Sequence, residues 1–365
     1  MSLVHRSAAL WCTCILLLTA CDRSAPPPKP AGGTTTKPAK PSAGGDEIPN
    51  LAVFAPALPT EIPAADNPMT PAKIDLGRML YYETRISKNH DVSCNTCHAL
   101  DKYGVDGAAV STGHRGQKGG RGAPTVYHAA GHIAQFWDGR ALTVEEQAKG
   151  PVLNAIEMAM PSEAAVIKVL KSMPGYVEAF GKAFPKDKDP VTYDNYAKAV
   201  GAFERRLVTP APIDKFFAGD KTALTEQQQQ GLKHFMQVGC ITCHNGPYFG
   251  GRMYQKVGLI KPWPNQKDQG RYDLTKREED RMMFKVMGLR NIAKTAPYFH
   301  DGSADTLAEA VQMMARHQLG RELGEDQVTS MVAFLESLTG ELPLDYIKKP
   351  KLPASTEQTP KPDPT

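Results

Sequence analysis

Two phrases in this chain could do chemistry: Cys94-Asn95-Thr96-Cys97-His98 and Cys240-Ile241-Thr242-Cys243-His244. Two thiols at this spacing can reach the two vinyl groups of one porphyrin. The histidine that follows then lies beneath the ring, where its imidazole can bind iron. A lone Cys-x-x-Cys also serves zinc or a redox disulfide. Two copies, both followed by His, point to two covalently attached haem c groups instead. Each porphyrin would supply a large apolar surface for a loop-rich domain to wrap, so the chain is expected to fold poorly without it.

The other three of the seven cysteines, Cys12, Cys14 and Cys21, fall in the first 21 residues. No disulfide framework is implied, because its cysteines would be more scattered. His5 and Arg6 open a weakly basic start, an apolar run spans Ala8 to Leu18, and Leu18-Thr19-Ala20-Cys21 follows. The run is too short to span a bilayer and reads as an export signal. Its last four residues resemble a bacterial lipoprotein processing box, in which Cys21 is lipidated and becomes the new N-terminus. The alternative is a plain secretory signal with an incidental cysteine. The expected location is the periplasmic side of a bacterial membrane, held by the lipid anchor alone.

Residues 22–50 are rich in Pro, Lys, Ala, Thr and Gly without apolar periodicity, and read as a disordered tether. Residues 346–365, with Lys349-Pro350-Lys351 and Lys361-Pro362, read as a disordered tail. The net charge of +4 is small for 365 residues and does not suggest nucleic acid.

Between these ends the chain repeats itself. Each half carries one haem motif, a variable stretch and an amphipathic helix. Tyr196, Val200, Phe203 and Leu207 share one face of the first helix, near Tyr193 to Leu207. Met331, Phe334, Leu335 and Leu338 share one face of the second, near Gln327 to Leu338. Further helices are expected over Glu163 to Lys171, from Thr225 to Gln237 behind a Thr225/Gln228 capping box, and from Thr306 to about Arg316 behind Thr306/Glu309. No alternating strand pattern is evident. The expected fold is all-α: two cytochrome c-like haem domains with long loops, spanning residues 51–215 and 216–345.

From about Asn67 to Leu338 the chain resembles the bacterial dihaem cytochrome c peroxidases. The matching phrases are Asn67-Pro68-Met69-Thr70-Pro71, Phe136-Trp137-Asp138-Gly139-Arg140-Ala141, and Leu289-Arg290-Asn291-Ile292 running on to Ala296-Pro297-Tyr298-Phe299-His300-Asp301-Gly302. The resemblance implies that the haem on His98 is the low-potential peroxidatic centre and the haem on His244 the high-potential centre that receives electrons. It makes Met314 the second iron ligand beside His244, and His114, in a glycine-rich loop, the displaceable ligand opposite His98. Plain core packing is the other reading of Met314, which shares a helical face with Leu307 and Val311. Met313 and Met287 are rival ligands. The resemblance places Trp137 between the haems and puts Glu157 and Gln147 beside the peroxide, with Glu157 moving a proton.

Family members usually bind calcium between the domains. Here Thr295 and Pro297 stand where backbone carbonyls hold that ion, but Gly122 replaces an asparagine ligand, so calcium stays open. His128 and His132 stand where relatives often have Asn, as ligands or as polar surface. The implied activity is reduction of hydrogen peroxide by a homodimer, with electrons from a small cytochrome c or a cupredoxin. The rival readings are a dihaem electron carrier without catalysis and a protein-oxidising enzyme of the methylamine-utilisation type. The latter has tyrosine where Met314 stands.

Overall fold

The computed structural model describes residues 51–365. The proposed signal, Cys21 and the tether lie outside the described residues. No helix among the described residues is long and apolar enough to cross a membrane. The fold is mostly helical, with one small sheet that the sequence did not reveal: Tyr254–Lys256 pairs antiparallel with Met283–Lys285, placing Tyr254 opposite Lys285.

Two helix crossings build the two cores. In the first lobe the Pro71–Tyr81 helix starts at Thr70, whose side chain accepts from the Lys73 N–H, with Pro71 in the first turn. Its buried Ile74, Leu76, Leu80 and Tyr81 pack on the Tyr193–Glu204 helix. In the second lobe the Glu226–Val238 helix opens on the Thr225/Gln228 capping box and crosses Glu325–Glu336.

Both crossings depend on a glycine. A Cβ on Gly77 would overlap the Ala199 carbonyl and lie 2.9 Å from Phe203 Cβ. A Cβ on Gly231 would overlap the Ser330 carbonyl and lie 2.8 Å from Phe334 Cβ. Phe203 and Phe334 occupy matching places in the repeated phrases, so the duplication in sequence is also one in packing. Backbone cannot yield as a side-chain tip can. Gly77→Ala and Gly231→Ala are each expected to destabilise the holoprotein by about 3 kcal/mol. Denaturant unfolding followed by haem absorbance measures this, and a loss below about 1 kcal/mol in both would rule out close crossing.

The chain ends depart from the expected domain limits. Phe54, assigned to the first domain, belongs to the second core: it stacks on Phe217 at 5.2 Å and meets Phe249 at 4.6 Å. Ala211 and Ile213 join that core too, so the boundary falls before residue 215. Residues 346–365, expected as a disordered tail, instead run along the first lobe. Tyr346 stacks on Phe203 at 5.1 Å and donates to its carbonyl at 2.7 Å. Arg85 donates to the Pro353 carbonyl, Ser172 meets Thr359 at 3.0 Å, and the Asp363 N–H donates to Lys88 O at 2.8 Å. The composition misled because an extended strap needs neither helical periodicity nor many apolar residues. A few aromatic and main-chain anchors suffice.

Candidate functional site

A cavity of about 350 Å³ lies against Cys97 and His98. Thr96 Oγ1 caps the Cys94–Cys97 turn by accepting from the Ser93 N–H at 2.9 Å, and His98 ends it. The Nδ1 of His98 is 3.3 Å from the Gly104 carbonyl. A carbonyl only accepts, so Nδ1 carries the hydrogen and Nε2 keeps a free lone pair for iron. Burial lowers the proton affinity of His98 and favours the neutral, metal-binding form.

Gln147, on the Val144–Leu153 helix, and Glu157 line this cavity with Phe136 and Trp137. Asn154 Nδ2 donates to Glu157 Oε1 at 2.8 Å. Burial pushes the Glu157 carboxyl above its usual range, while Arg140 and Asn154 oppose the shift.

His114 is buried but does not line the cavity. Its main-chain N–H donates to Glu157 O at 2.8 Å, and its Nε2 lies 3.4 Å from Thr365 O. Gly113 lets the loop lie this close: a Cβ there would overlap the Ile156 carbonyl and sit 2.7 Å from Glu157 Cα. The structure thus brings Glu157, Gln147 and His98 together and leaves His114 aside, docked on the backbone of the Glu157 segment.

A second cavity of about 220 Å³ is lined by Cys240, Cys243, His244 and Met314. Here too the histidine Nδ1 meets a carbonyl, that of Phe249 at 3.2 Å, leaving Nε2 free. Met313 does not line this cavity, while Met287 lines both. The expected α-helix to Arg316 stops at Met313, and Met314–Gln318 is a π-turn. Such turns re-aim side chains and recur at functional sites. This one is pinned by Gln318, which donates to Lys256 O at 2.9 Å and accepts from the Gly258 N–H.

Trp137 lines both cavities, and its Nε1 donates to Gly122 O at 2.9 Å. That bond occupies main chain where relatives have a calcium-binding asparagine. Gly122 has no side-chain oxygen, and no group of three or more His, Cys, Asp or Glu that could hold a metal ion occurs among the described residues. Carbonyls of Thr295 and Pro297 alone fall well short of the six to eight oxygens calcium takes. Most of the oxygens around a calcium ion there would have to be water. Burial pushes the Cys97 and Cys240 thiols up to about 11.

Sequence reasoning missed two features. Arg121 joins Asp138 at 2.7 Å and Asp268 at 2.6 Å, tying distant loops beside the cavity. Lys285 is buried and lines both cavities. His128 and His132 are buried, not polar surface: His128 Nε2 meets Thr209 Oγ1 at 2.9 Å, and both rings lie near Tyr248. Lone charged residues scattered through loops leave no periodic signal.

Two lobes, each with a Cys-x-x-Cys-His cavity, and a shared tryptophan define a dihaem c-type protein, and the chain belongs to the di-haem cytochrome c peroxidase family. That family's model matches residues 71–222. The chain is 45% identical over 317 residues to a cytochrome c551 peroxidase of Pseudomonas aeruginosa, covering 85% of this chain and 90% of that one. It is 46% identical over 324 residues to a cytochrome c551 peroxidase of Nitrosomonas europaea, covering 86% and 95%. Among solved structures it resembles a MauG-like protein associated with microbial copper homeostasis, with a TM-score of 0.72, 27% identity, and 81% and 98% of the two chains covered.

Proposed function

We propose that this chain reduces hydrogen peroxide to water with electrons from a small one-electron donor, a cytochrome c or a cupredoxin. The observation that carries the reading is the inequality of the two cavities. Met314 shares one with His244, while Glu157 and Gln147, a carboxyl and an amide that do not line it, share the second with His98. A thioether opposite histidine favours the reduced metal and suits an electron store. The open side of His98 suits a substrate.

Cys94, Cys97 and His98 would hold one haem, and Cys240, Cys243, His244 and Met314 the other. A haem held there would supply a site for peroxide and the electrons for its reduction. Glu157 takes the proton from the inner oxygen and returns it to the outer one. The O–O bond then breaks and the outer oxygen leaves as water. Two electrons and two further protons complete the second water. The Gln147 amide orients the peroxide. Trp137 fills the junction between the cavities and shortens the path for electrons.

His114 would be the ligand that closes the site in the resting oxidised state and leaves when the C-terminal haem is reduced. We also place the chain on the periplasmic side of a bacterial membrane through lipidated Cys21, and as a homodimer. A pure electron carrier would need His114 on the iron throughout and would have no use for Glu157. The protein-oxidising alternative lacks its tyrosine at Met314.

Visible spectra of oxidised, half-reduced and fully reduced protein, recorded with peroxide turnover, test the proposal. The half-reduced form is expected to react with peroxide at once. If peroxide oxidises no redox form, the chain is an electron carrier.

A further inference from the structure

Lys285 is an unusual residue to find at this depth. Its side chain is 3% exposed, and its ammonium donates one hydrogen bond, to Ala134 O at 2.8 Å. It forms no ion pair among the described residues. The nearest acid acting on it, Asp138, is already held by Arg121 at 2.7 Å and Arg140 at 3.0 Å. Burial pushes Lys285 down to about 7, with Asp138 opposing. A buried ammonium with two unused donors and no counter-charge is costly unless an anion meets it.

The backbone fixes Lys285 firmly. It ends the Met283–Lys285 strand, and its N–H donates to Trp137 O at 2.8 Å. It lines both haem cavities. His132 lines the His98 cavity, and both its ring nitrogens are buried without a partner. The ring sits in a slot made by two glycines. A Cβ on Gly251 would overlap it, and a Cβ on Gly288 would lie 2.8 Å from its Nε2. Burial, and then the nearby Lys285 charge, keep the imidazole neutral, so it offers one donor. Two polar groups with spare donors therefore stand on one wall of the His98 cavity. Of the acids lining this cavity, Asp138 is already held by Arg121 and Arg140, and among the described residues none forms an ion pair with Lys285 or a hydrogen bond with the His132 ring.

We propose that Lys285 and His132 form a carboxylate-binding pair that holds a propionate of the haem attached at Cys94 and Cys97. Haem carries its only two anions as propionates, so it brings the carboxylate this wall lacks. Lys285 touches both cavities, but His132 lines the first alone, and this assigns the pair to the N-terminal haem. The propionate in turn gives Lys285 its counter-ion beside Trp137, so the pair also fixes the haem edge against the inter-haem junction. Lys285 and His132 are positioning residues: they touch the cofactor's periphery and not the peroxide.

The inference rests on the dihaem reading above, and the two fail differently. Wild-type protein without two haems would overturn that reading. The pair itself is tested on protein whose two haems have been verified by absorbance and mass. A cation beside a haem favours the reduced state, which is one charge more negative. Lys285→Met is therefore expected to shift the reduction equilibrium of the N-terminal haem about tenfold toward the oxidised form, or ~59 mV for one electron. The C-terminal haem, whose cavity Lys285 also lines, should move less, and Lys285→Arg should restore most of the shift. His132→Leu, which fills the slot but cannot donate, should move the same haem in the same direction by about threefold. It provides a second reading should Lys285→Met fail to mature. Spectroelectrochemistry resolves the two haems. Unchanged potentials in both variants, or a shift confined to the C-terminal haem, would overturn the proposal.

Discussion

Glu157→Gln is expected to lower peroxide turnover by about 10²- to 10³-fold while both haems remain bound. The substitution is nearly isosteric. It keeps the Oε1 that accepts from Asn154 Nδ2 at 2.8 Å, so the Asn154–Glu157 turn should hold. What it removes is the capacity to take a proton from one peroxide oxygen and deliver it to the other. Without that relay the outer oxygen must leave as hydroxide, a far poorer leaving group than water. The pH profile sharpens the test. Glu157 must be ionised to accept the proton, and burial raises its carboxyl above the usual range. Turnover should therefore fall as pH drops through that raised value, with the acid limb lying above pH 4.5, the ordinary value for a glutamate. Glu157→Gln should abolish that limb along with the rate. Steady-state assays across pH, with the haem spectrum as a control for integrity, measure both. A variant that keeps the wild-type rate would leave Glu157 as a packing residue. Gln147→Ala should have a smaller effect, since an amide orients but carries no proton.

The sequence made some of this arrangement legible and hid the rest, for physical reasons. The haem motifs, the Thr225/Gln228 and Thr306/Glu309 caps and the paired Phe203 and Phe334 phrases are local signals, and each appears in the structure where spacing put it. Gly77 and Gly231 carry the same duplication but are silent in a sequence, because a glycine in a helix announces nothing until its neighbour is known. The strap of residues 346–365 was hidden by its composition. Its anchoring groups, Tyr346 and Thr359, are separated by prolines and charges that resemble a solvated tail. The site divides the same way. Cys and His gave the two cavities, but Glu157 and Gln147 had meaning only through family resemblance. Lys285 looked like any surface lysine, because burial is a property of the fold and not of the residue.

The second large effect concerns Met314. Met314→His is expected to lower the reduction potential of the C-terminal haem by on the order of 0.2 V, while Met313→Leu leaves it unchanged. The two methionines are adjacent, and helical pattern alone separates them poorly. The structure separates them: Met314 shares the cavity of His244 and opens the π-turn, whereas Met313 packs with Tyr298, Ala304 and Ala310. A π-turn holds one more residue per turn than an α-helix, so it turns the following side chains relative to a continuous helix. A thioether is a soft, weak donor that favours ferrous iron, and replacing it by imidazole favours ferric iron. Once the potential falls below that of the donor, electrons stop entering, and turnover should fail even though Glu157 and the His98 cavity are untouched. Chemical reduction of Met314→His with dithionite should restore a single turnover with peroxide, because that route bypasses the donor. If Met313→Leu lowered the potential and Met314→His did not, the ligand assignment would move by one residue. If neither changed it, both methionines would be core, and Met287, which lines both cavities, would be the thioether left to test.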